Sequence, residues 1–374
     1  MHRPNVLAQT AEEFVQAAVG QIGKGVDQAL SCYRGYWQKG NWETQDPCFA
    51  NCPRLRIAFQ EIIPPSPLRL VNKLEERPHV KCVFELHDGL QIETVLIQMQ
   101  AGVTVCVSSQ VGCRMGCAFC ETGRMGLLRS LSPEEIVAQV WCVRHLLGYQ
   151  VRNLVFMGMG EPFDNFDAVR QAVRVLTDPH GMGLGGSRIT ISTVGRIEGI
   201  QRFQQELPPT LHLAVSLNAP DHDVRRRLMP IETTDHMDAL RQALESYGQM
   251  GRSVLLEYIL LEGITDELDH ADALARWVEG LSAKINCIPY NPQSRARFKT
   301  PSEERIQAFL QRLREHGISP LLRHHRGRAA MAACGQLGNL ELRYKARTKE
   351  RAAAEPDQGI DGEPRVREAL SWRP

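Results

Sequence analysis

The chain has 374 residues, of which 43% are hydrophobic and 23% are charged, and its formal net charge is +1 at pH 7. These values are ordinary for a globular protein, and the near-neutral charge indicates no class of partner. No apolar run approaches the roughly 18 residues of a membrane span, and the N-terminus lacks a signal peptide's apolar stretch, so we expect a cytoplasmic protein without a membrane partner. Eleven cysteines in such a chain favour metal or redox chemistry over a disulfide scaffold.

Residues 1–75 are predicted to form a small helical accessory domain at the N-terminus. A helical pattern spans Ala11–Leu30 and leads into an aromatic stretch, and the Pro-rich segment 64–68 indicates a boundary. After that boundary, apolar segments on both sides of Asp88-Gly89 predict a β-hairpin, because this dipeptide is typical of two-residue hairpin turns.

Short apolar runs then alternate with amphipathic helical patterns. Strands are predicted at residues 103–108, 154–157, 188–193, 211–216, 254–260 and 285–289, and helices at 134–147, 165–176, 236–250, 269–281 and 303–316. The first helix has Ser132 as N-cap, Pro133 at its first position and Glu135 completing a capping box. The alternation predicts right-handed βαβ units and hence an α/β fold, a partial (βα)6 barrel over residues 76–345. The polar tail, 346–374, is expected to be disordered.

Three closely spaced cysteines follow the first strand of this series. Cys113, Cys117 and Cys120 have the spacing C-x₃-C-x₂-C in a loop before the first helix. Three thiolates at this spacing can hold three corners of a [4Fe–4S] cluster, which leaves the fourth iron open for chemistry. The alternative is a zinc site with Cys106 or a distant cysteine as fourth ligand, although no second pair stands where a zinc ribbon needs one.

The cysteine segment resembles the signature of the radical S-adenosylmethionine (SAM) enzymes, with Phe119 before the last cysteine. Further motifs resemble, in register, the RlmN/Cfr group of RNA adenine methyltransferases over about residues 80–345. They are CVSSQVGC (106–113), MGMGEP (157–162), ISTVG (191–195), AVSLNAP (214–220), INCIPYNP (285–292) and AACGQL (332–337). The resemblance implies a partial radical-SAM barrel, one [4Fe–4S] cluster on the three cysteines, and two SAM molecules per turnover.

The resemblance also implies which residues contact the SAM cofactor. These residues stand at the ends of predicted strands, where a barrel places its functional groups. They are Gly160, Glu161, Ser192, Ser216, Leu217, Asn218 and Asn291. Taken singly, such residues are more often turn or capping residues. The chain departs from the family at Asn218, where relatives more often carry His, although Asn also donates and accepts hydrogen bonds.

Two cysteines outside the cluster motif, Cys106 and Cys334, match the other catalytic cysteines of the family, whereas by themselves they would be interpreted as buried structural thiols. In this family, Cys334 takes a methyl group from one SAM molecule and becomes S-methylcysteine. A radical from a second SAM molecule removes hydrogen from that methyl group, and the product adds to adenine. Cys106 then attacks the sulfur of Cys334, which forms a transient disulfide and releases the methylated base. Glu93, in an apolar strand, matches the proton acceptor.

The resemblance implies an RNA substrate, with C2 of an adenosine in 23S rRNA favoured and a tRNA adenosine as a second candidate. A reducing partner of the flavodoxin or ferredoxin type would supply electrons. The basic residues near Cys334 suit phosphate binding or are a solvated surface, and they are Arg323, Arg326, Arg328, Arg343, Lys345, Arg347, Lys349 and Arg351. The alternatives are methylation at C8, as in Cfr, the same chemistry on another RNA, and a non-catalytic iron–sulfur or zinc RNA-binding protein.

Overall fold

The computed structural model describes residues 3–42, 46–62, 68–219, 221–293, 296–323 and 335–338. The α-helices are α1 (Ala11–Ile22), α2 (Val26–Lys39), α3 (Pro53–Glu61), α4 (Glu121–Met125), α5 (Pro133–His145), α6 (Phe166–Thr177), α7 (Ile197–Glu206), α8 (His222–Leu228), α9 (Met237–Gln249), α10 (Leu268–Val278) and α11 (Glu303–Glu315). The strands are β1 (Arg69–Glu76), β2 (His79–Glu85), β3 (Gln91–Met99), β4 (Gly102–Cys106), β5 (Gln110–Cys113), β6 (Gly126–Ser130), β7 (Val151–Phe156), β8 (Ile189–Thr193), β9 (His212–Ser216), β10 (Val254–Leu260), β11 (Ala283–Pro289) and β12 (Leu321–Leu322). No helix within these ranges is long and apolar enough to cross a membrane.

Ten strands form one sheet in the order β1-β2-β3-β4-β7-β8-β9-β10-β11-β12. Strands β1 to β4 pair antiparallel, and from β4 onward the pairing is parallel. Within the described ranges, β1 and β12 each have one neighbour, so the sheet is open. The predicted α/β fold, a partial (βα)6 barrel preceded by a hairpin, is therefore confirmed.

The predicted strands and helices of the barrel agree with the structure to within a few residues. Helix α5 begins as its sequence predicts, because the Ser132 side chain accepts the N–H of Glu135 at 3.2 Å while the Glu135 carboxylate accepts the N–H of Ser132 at 2.9 Å. The apolar sides of α5 and α6 pack on the sheet, where Val140 and Val173 are fully buried. Periodicity identified these elements because each one buries a continuous apolar stripe.

Other elements differ from the prediction. The helical pattern over Ala11–Leu30 is divided between α1 and α2, because Gly23 and Gly25 adopt positive φ angles of 90° and 103° that end the first helix. Helices α7 and α8, the hairpin β5–β6 and strand β1 were not predicted. Strand β1 begins at Arg69, inside the segment assigned to the accessory domain, and pairs with β2.

The N-terminal helices share one buried core with the barrel. Phe14 and Trp37 belong to the same apolar cluster as the sheet strands. The Tyr36 ring stacks on Trp141 of α5 with ring centroids 5.0 Å apart. The buried carboxylate of Asp178 accepts the first N–H of α1, from Ala11, at 2.7 Å. These contacts fix the N-terminal helices against α5 and α6.

Candidate active site

A cleft opens at the carboxyl ends of the parallel strands. Eight of the residues singled out from the sequence line it: Cys113, Cys117, Cys120, Gly160, Glu161, Ser192, Ser216 and Asn218. They come from separate strand ends and loops, which parallel packing brings to one edge of the sheet. The structure therefore gathers the cysteine motif and most of the predicted cofactor residues in one place.

The three motif cysteines approach this cleft from a short folded loop. Cys113 ends β5, Cys117 lies in the loop, and Cys120 caps α4. The loop is fixed by hydrogen bonds from the N–H of Ala118 to the carbonyl of Leu228, at 2.9 Å, and from the N–H of Cys120 to the carbonyl of Cys117, at 3.1 Å.

The thiols of Cys113 and Cys117 lie in an apolar environment. They belong to a buried cluster that includes Met229 and Ile259, against which the half-buried Cys120 packs. Burial raises the pKa of both Cys113 and Cys117, and the neighbouring Cys120 raises it further. Without a positive group at the cleft, these thiols stay protonated, so a cation bound there would draw them into thiolate form.

Backbone geometry explains two glycines of the site motifs. Gly112 has a φ of +78°, and a Cβ atom there would lie 1.9 Å from the carbonyl oxygen of Gly126 on the partner strand. Gly160 has a φ of +106°, and its Cβ would lie 2.7 Å from Cβ of Gln110. Only glycine allows β5 to approach both neighbours, so these residues shape the loop that carries Cys113.

Glu161 is buried beside the cysteine loop. Its carboxylate accepts the N–H of Phe163 at 3.1 Å and the N–H of Val194 at 2.9 Å, which ties the β7 and β8 loops together. Burial raises the pKa of Glu161 to about 7, although these N–H groups and the Thr193 hydroxyl oppose part of the rise. An ammonium group bound in the cleft would favour its ionised form.

A second carboxylate, Glu257, lies in the cleft and was missed by the sequence reasoning. It stands in β10, is 7% exposed and accepts the Ser192 hydroxyl at 3.2 Å. It is in register with Ser216 of β9, so the three side chains form one polar layer. Its other oxygen accepts no hydrogen bond among the described residues, although the Arg323 guanidinium lies 3.6 Å away. A lone acidic residue in the apolar run VLLEYIL was the available clue.

Three further residues were predicted to contact the cofactor, and of these Asn218 lines the cleft. Asn218 has a φ of 62°, and its side chain accepts the N–H of Ile259 at 3.1 Å and donates to Met229 sulfur at 3.3 Å. Asn is among the few residues that tolerate this left-handed conformation. Leu217 is fully buried, and Asn291 is 7% exposed. Neither of these two lines the cleft among the described residues.

Cys106 and Glu93 lie on neighbouring strands next to the cleft. Cys106 ends β4 and is in register with Val95 of β3, two residues from Glu93. Both are buried, at 7% and 8% exposure. The Glu93 carboxylate accepts the N–H of Gly338 at 3.2 Å and lies 3.5 Å from the Lys81 ammonium group. Burial raises the pKa of Glu93, and the ammonium and N–H groups oppose part of this rise.

Cys334 lies outside the described residues, as do seven of the eight basic residues singled out around it. Of that basic group, Arg323 is described. Gly335, which directly follows Cys334, lines the cleft, and its carbonyl accepts the N–H of Glu121 at 2.7 Å. The segment 335–338 thus contacts α4 beside the cysteine loop at one end and Glu93 at the other.

Comparison with known proteins identifies the family of this chain. The sequence profile of the Radical SAM superfamily matches residues 107–275. The probable dual-specificity RNA methyltransferase RlmN 1 of Protochlamydia amoebophila is 46% identical over 342 residues, 91% of this chain and 96% of that protein. The chain belongs to the RlmN family of radical SAM RNA methyltransferases. A second relative, the dual-specificity RNA methyltransferase RlmN of Syntrophobacter fumaroxidans, is 44% identical over 87% of this chain and 94% of that protein.

A solved structure agrees with this membership. The radical SAM methyltransferase from Sphaerobacter thermophilus matches with a TM-score of 0.82 and 38% identity, over 88% of this chain and 98% of that one. The family resemblance seen in the motifs is therefore confirmed along nearly the whole chain. Membership implies a [4Fe–4S] cluster and SAM as cofactors.

The donor set of the cleft fits the cluster that RlmN proteins require. Among the described residues, no three His, Cys, Asp or Glu side chains are grouped as ligands of one metal ion. Each cysteine of a cubane cluster binds a different iron, so its ligands surround a volume instead of a point. The thiols of Cys113, Cys117 and Cys120 do so around the cleft, while Glu161 and Glu257 offer carboxylates for the polar groups of SAM.

A buried arginine connects the chain segments that border this RlmN cleft. Arg225 of α8 is fully buried, and its guanidinium donates to the carbonyls of Leu217, at 3.2 Å, and Val194, at 2.8 Å. It also pairs with the fully buried Glu232. One side chain thus joins the ends of β8 and β9 to the helix whose last residue, Leu228, holds the cysteine loop.

Replacing Arg225 with methionine is expected to lower the free energy of unfolding by about 3–5 kcal/mol, because it removes the buried guanidinium that pairs with the Glu232 carboxylate. Urea denaturation with and without SAM measures this loss and the accompanying loss of SAM affinity. The control is Arg226→Met on the exposed side of the same helix, which should change stability by at most about 0.5 kcal/mol. Equal stability of the two variants would contradict the supporting role of Arg225.

Proposed function

We propose that the protein methylates C2 of an adenosine in 23S rRNA, and that a tRNA adenosine serves as a second substrate. The observation that supports this most is the position of segment 335–338, which follows Cys334 in the chain. It packs against the cysteine loop through Glu121 and against Glu93 through Gly338. One short segment therefore connects the cleft with Glu93, and the strand that carries Glu93 pairs with the strand that ends at Cys106.

The cleft residues bind and orient SAM in this proposal. When bound, the cluster on Cys113, Cys117 and Cys120 supplies the electron that cleaves SAM reductively. Glu161 accepts hydrogen bonds from the amino group of the SAM methionine, and Ser192 and Ser216 contact the rest of the cofactor along with Gly160. The backbone of Leu217, together with Asn218 and Asn291, completes the contacts expected from the family. The apolar wall around Met229 and Ile259 excludes water from the reacting atoms.

Cys334 accepts the methyl group, and Cys106 later releases the methylated product. Adenine C2 is an unactivated sp² carbon, so it does not attack a sulfonium methyl group directly. The sulfur of Cys334 attacks the methyl carbon of one SAM molecule, and S-adenosylhomocysteine leaves. A second SAM molecule would supply the radical that removes one hydrogen atom from that S-methyl group. The methylene carbon then adds to the base carbon, and the adduct returns one electron to the reducing partner, which leaves RNA bound to Cys334 through a thioether. Cys106 attacks the sulfur of Cys334, which breaks the sulfur–carbon bond, forms a disulfide and frees the methylated RNA.

Glu93 removes the proton from the base carbon in this scheme. A base must be ionised and within hydrogen-bond reach of the proton that it takes. Its strand position, two residues from Val95, the register partner of Cys106, supports the second condition because it places Glu93 close to the second catalytic cysteine of the proposal. The N–H of Gly338 stabilises its ionised form.

RNA recognition is assigned to the parts of the chain around this cleft. The N-terminal segment 1–75 acts as an accessory RNA-binding domain, and the basic residues from Arg323 onward bind phosphates. The rigid packing of α1 and α2 on α5 and α6 supports this, because it fixes the position of that domain relative to the cleft. A flavodoxin- or ferredoxin-like protein reduces the cluster.

Mass spectrometry of nucleosides tests the proposal. We expect 2-methyladenosine to disappear from 23S rRNA, and from tRNA, in a strain that lacks this gene, and to return when the gene is restored. The matched control is restoration with a Cys334→Ala variant, which should leave the nucleoside absent. Loss of 8-methyladenosine instead would assign the C8 reaction, and unchanged adenosines in both RNAs would contradict the proposed substrate.

A further inference from the structure

Lys81 of β2 and Glu93 of β3 form an ion pair inside the hairpin. Their charged groups lie 3.5 Å apart, and their side chains are only 9% and 10% exposed. Glu93 is in register with Val83, and Lys81 with Val95, so the two residues are diagonal neighbours on the same face. Cys106 is on that face too, because it is the register partner of Val95 on the other side.

Burial of this ion pair costs solvation free energy, and only excellent geometry offsets that cost. A carboxylate taken out of water loses several kcal/mol of solvation, and a nearby ammonium group offsets part of that loss. Strand β1, which pairs with β2, holds a contrasting pair, Lys73 and Glu75, whose groups lie 2.6 Å apart but whose side chains are 33% and 55% exposed. Surface pairs of this kind contribute little to the free energy of unfolding. Stability therefore gives little reason to bury the Lys81–Glu93 pair.

The Glu93 carboxylate has a second fixed partner. One oxygen faces Lys81, and the other accepts the N–H of Gly338 in the segment that follows Cys334. The carboxylate is therefore held between strand β2 of the hairpin and segment 335–338, which follows the cysteine that carries the methyl group in the proposed reaction. A protonated carboxyl group would lose its attraction to Lys81 and one acceptor site.

We propose that Lys81 is a positioning residue that keeps Glu93 ionised and turned toward segment 335–338, so that Glu93 accepts the proton of the base carbon. This inference rests on the proposed function, because it gives Lys81 a role only through the base role of Glu93. This role of Lys81 adds no bond-making or bond-breaking step to the reaction. Lys81 supplies the counter-charge of the ground-state carboxylate, and the proton that leaves the carbon neutralises it.

The pH dependence follows from the sign of the effect. Burial alone raises the pKa of Glu93, and Lys81 lowers it, so removal of Lys81 moves the pKa upward. The other charged or titratable groups on this face are His79 and Glu85 of β2, Arg69 and Glu76 of β1 and Cys106 of β4, and segment 335–338 carries none. Without Lys81, proton removal therefore slows at neutral pH and recovers as the pH rises.

Deuterium loss from the trapped RNA adduct measures this step alone. In a Cys106→Ala background, cluster-loaded protein is given SAM, reductant and RNA that carries deuterium at the target adenosine carbon. We expect the adduct to form at an unchanged rate in the added Lys81→Met variant but to lose deuterium more slowly at pH 7, by about a factor of ten for each unit by which the pKa of Glu93 then exceeds the pH. The rate should recover as the pH rises.

Three variants make the result specific. Lys73→Met removes a lysine of the neighbouring strand β1 and should leave deuterium loss unchanged. Lys81→Arg keeps the charge and should restore part of the rate. Glu93→Gln should abolish deuterium loss, and adding Lys81→Met to it should have no further effect, because a residue that acts through Glu93 is not additive with it.

The outcomes separate this inference from the proposed function. If no adduct forms in the Cys106→Ala protein, or if Glu93→Gln loses deuterium normally, the proposed mechanism itself is wrong. If Glu93→Gln blocks the loss while Lys81→Met matches the Lys73→Met control at every pH, the mechanism stands and the role of Lys81 is refuted.

Discussion

Replacing Cys106 with alanine is expected to stop the reaction after its first half and leave RNA covalently attached to the protein. Cys106 is the buried thiol at the end of β4, beside Glu93, and the proposed reaction uses it only to release the product. The variant should therefore consume SAM and form at most one adduct per chain, with no free methylated RNA. Denaturing gel electrophoresis with labelled RNA measures the adduct, and mass spectrometry locates it on Cys334.

The control for this experiment is Cys82→Ala. Cys82 is fully buried in β2 of the same sheet, on the face opposite to Lys81. Its loss removes a packed thiol and lowers stability slightly, but turnover should continue. Normal release of methylated RNA by Cys106→Ala would show that another group resolves the intermediate.

Replacing Cys117 with alanine is expected to abolish the cluster and every reaction that depends on it. Cys117 is 6% exposed in the apolar cluster between Met115 and Met229, so neither water nor another side chain in the described structure substitutes for its sulfur there. Anaerobically purified wild-type protein should be brown and hold about four irons per chain. The variant should be colourless, nearly free of iron, and unable to cleave SAM.

Iron analysis, absorption spectra and the release of 5′-deoxyadenosine measure this loss. Cys142→Ala is the matched control, because that thiol is fully buried in α5. It should keep colour and SAM cleavage. A brown, active Cys117→Ala protein would contradict the cysteine assignment, and zinc in place of iron in the wild type would contradict the cluster.

Much of the barrel was predictable because its elements obey simple periodicities. The six parallel strands are short apolar runs, and α5 carries a complete capping box, so local composition determines both. The elements that were missed lack such patterns. Helix α8 has only seven residues and three consecutive arginines, Arg225–Arg227, which indicate exposure although the first is fully buried. Helix α1 ends at Gly23, where conformation depends on a left-handed angle and not on hydrophobicity.

The site was predictable where residue type limits the chemistry. Three cysteines at close spacing have few uses other than binding a metal or a cluster. Glycines at positions that exclude a Cβ atom have few possible replacements. Glu257 and Lys81 were not predicted, because a single charge in an apolar strand is ordinarily exposed on its outer face. Which face points inward depends on the pairing of strands that are distant in sequence.

The amino-acid sequence by itself determined the kind of chemistry, the fold class and the family, because cluster ligation and apolar periodicity depend on nearby residues. Only the tertiary structure decided how the groups meet. It brought Gly335 to the cleft and Gly338 to Glu93, although 245 residues separate the latter pair. It also buried Lys81 beside that carboxylate. Strand register sets such contacts, and register results from the packing of the whole sheet, which no local stretch of sequence specifies.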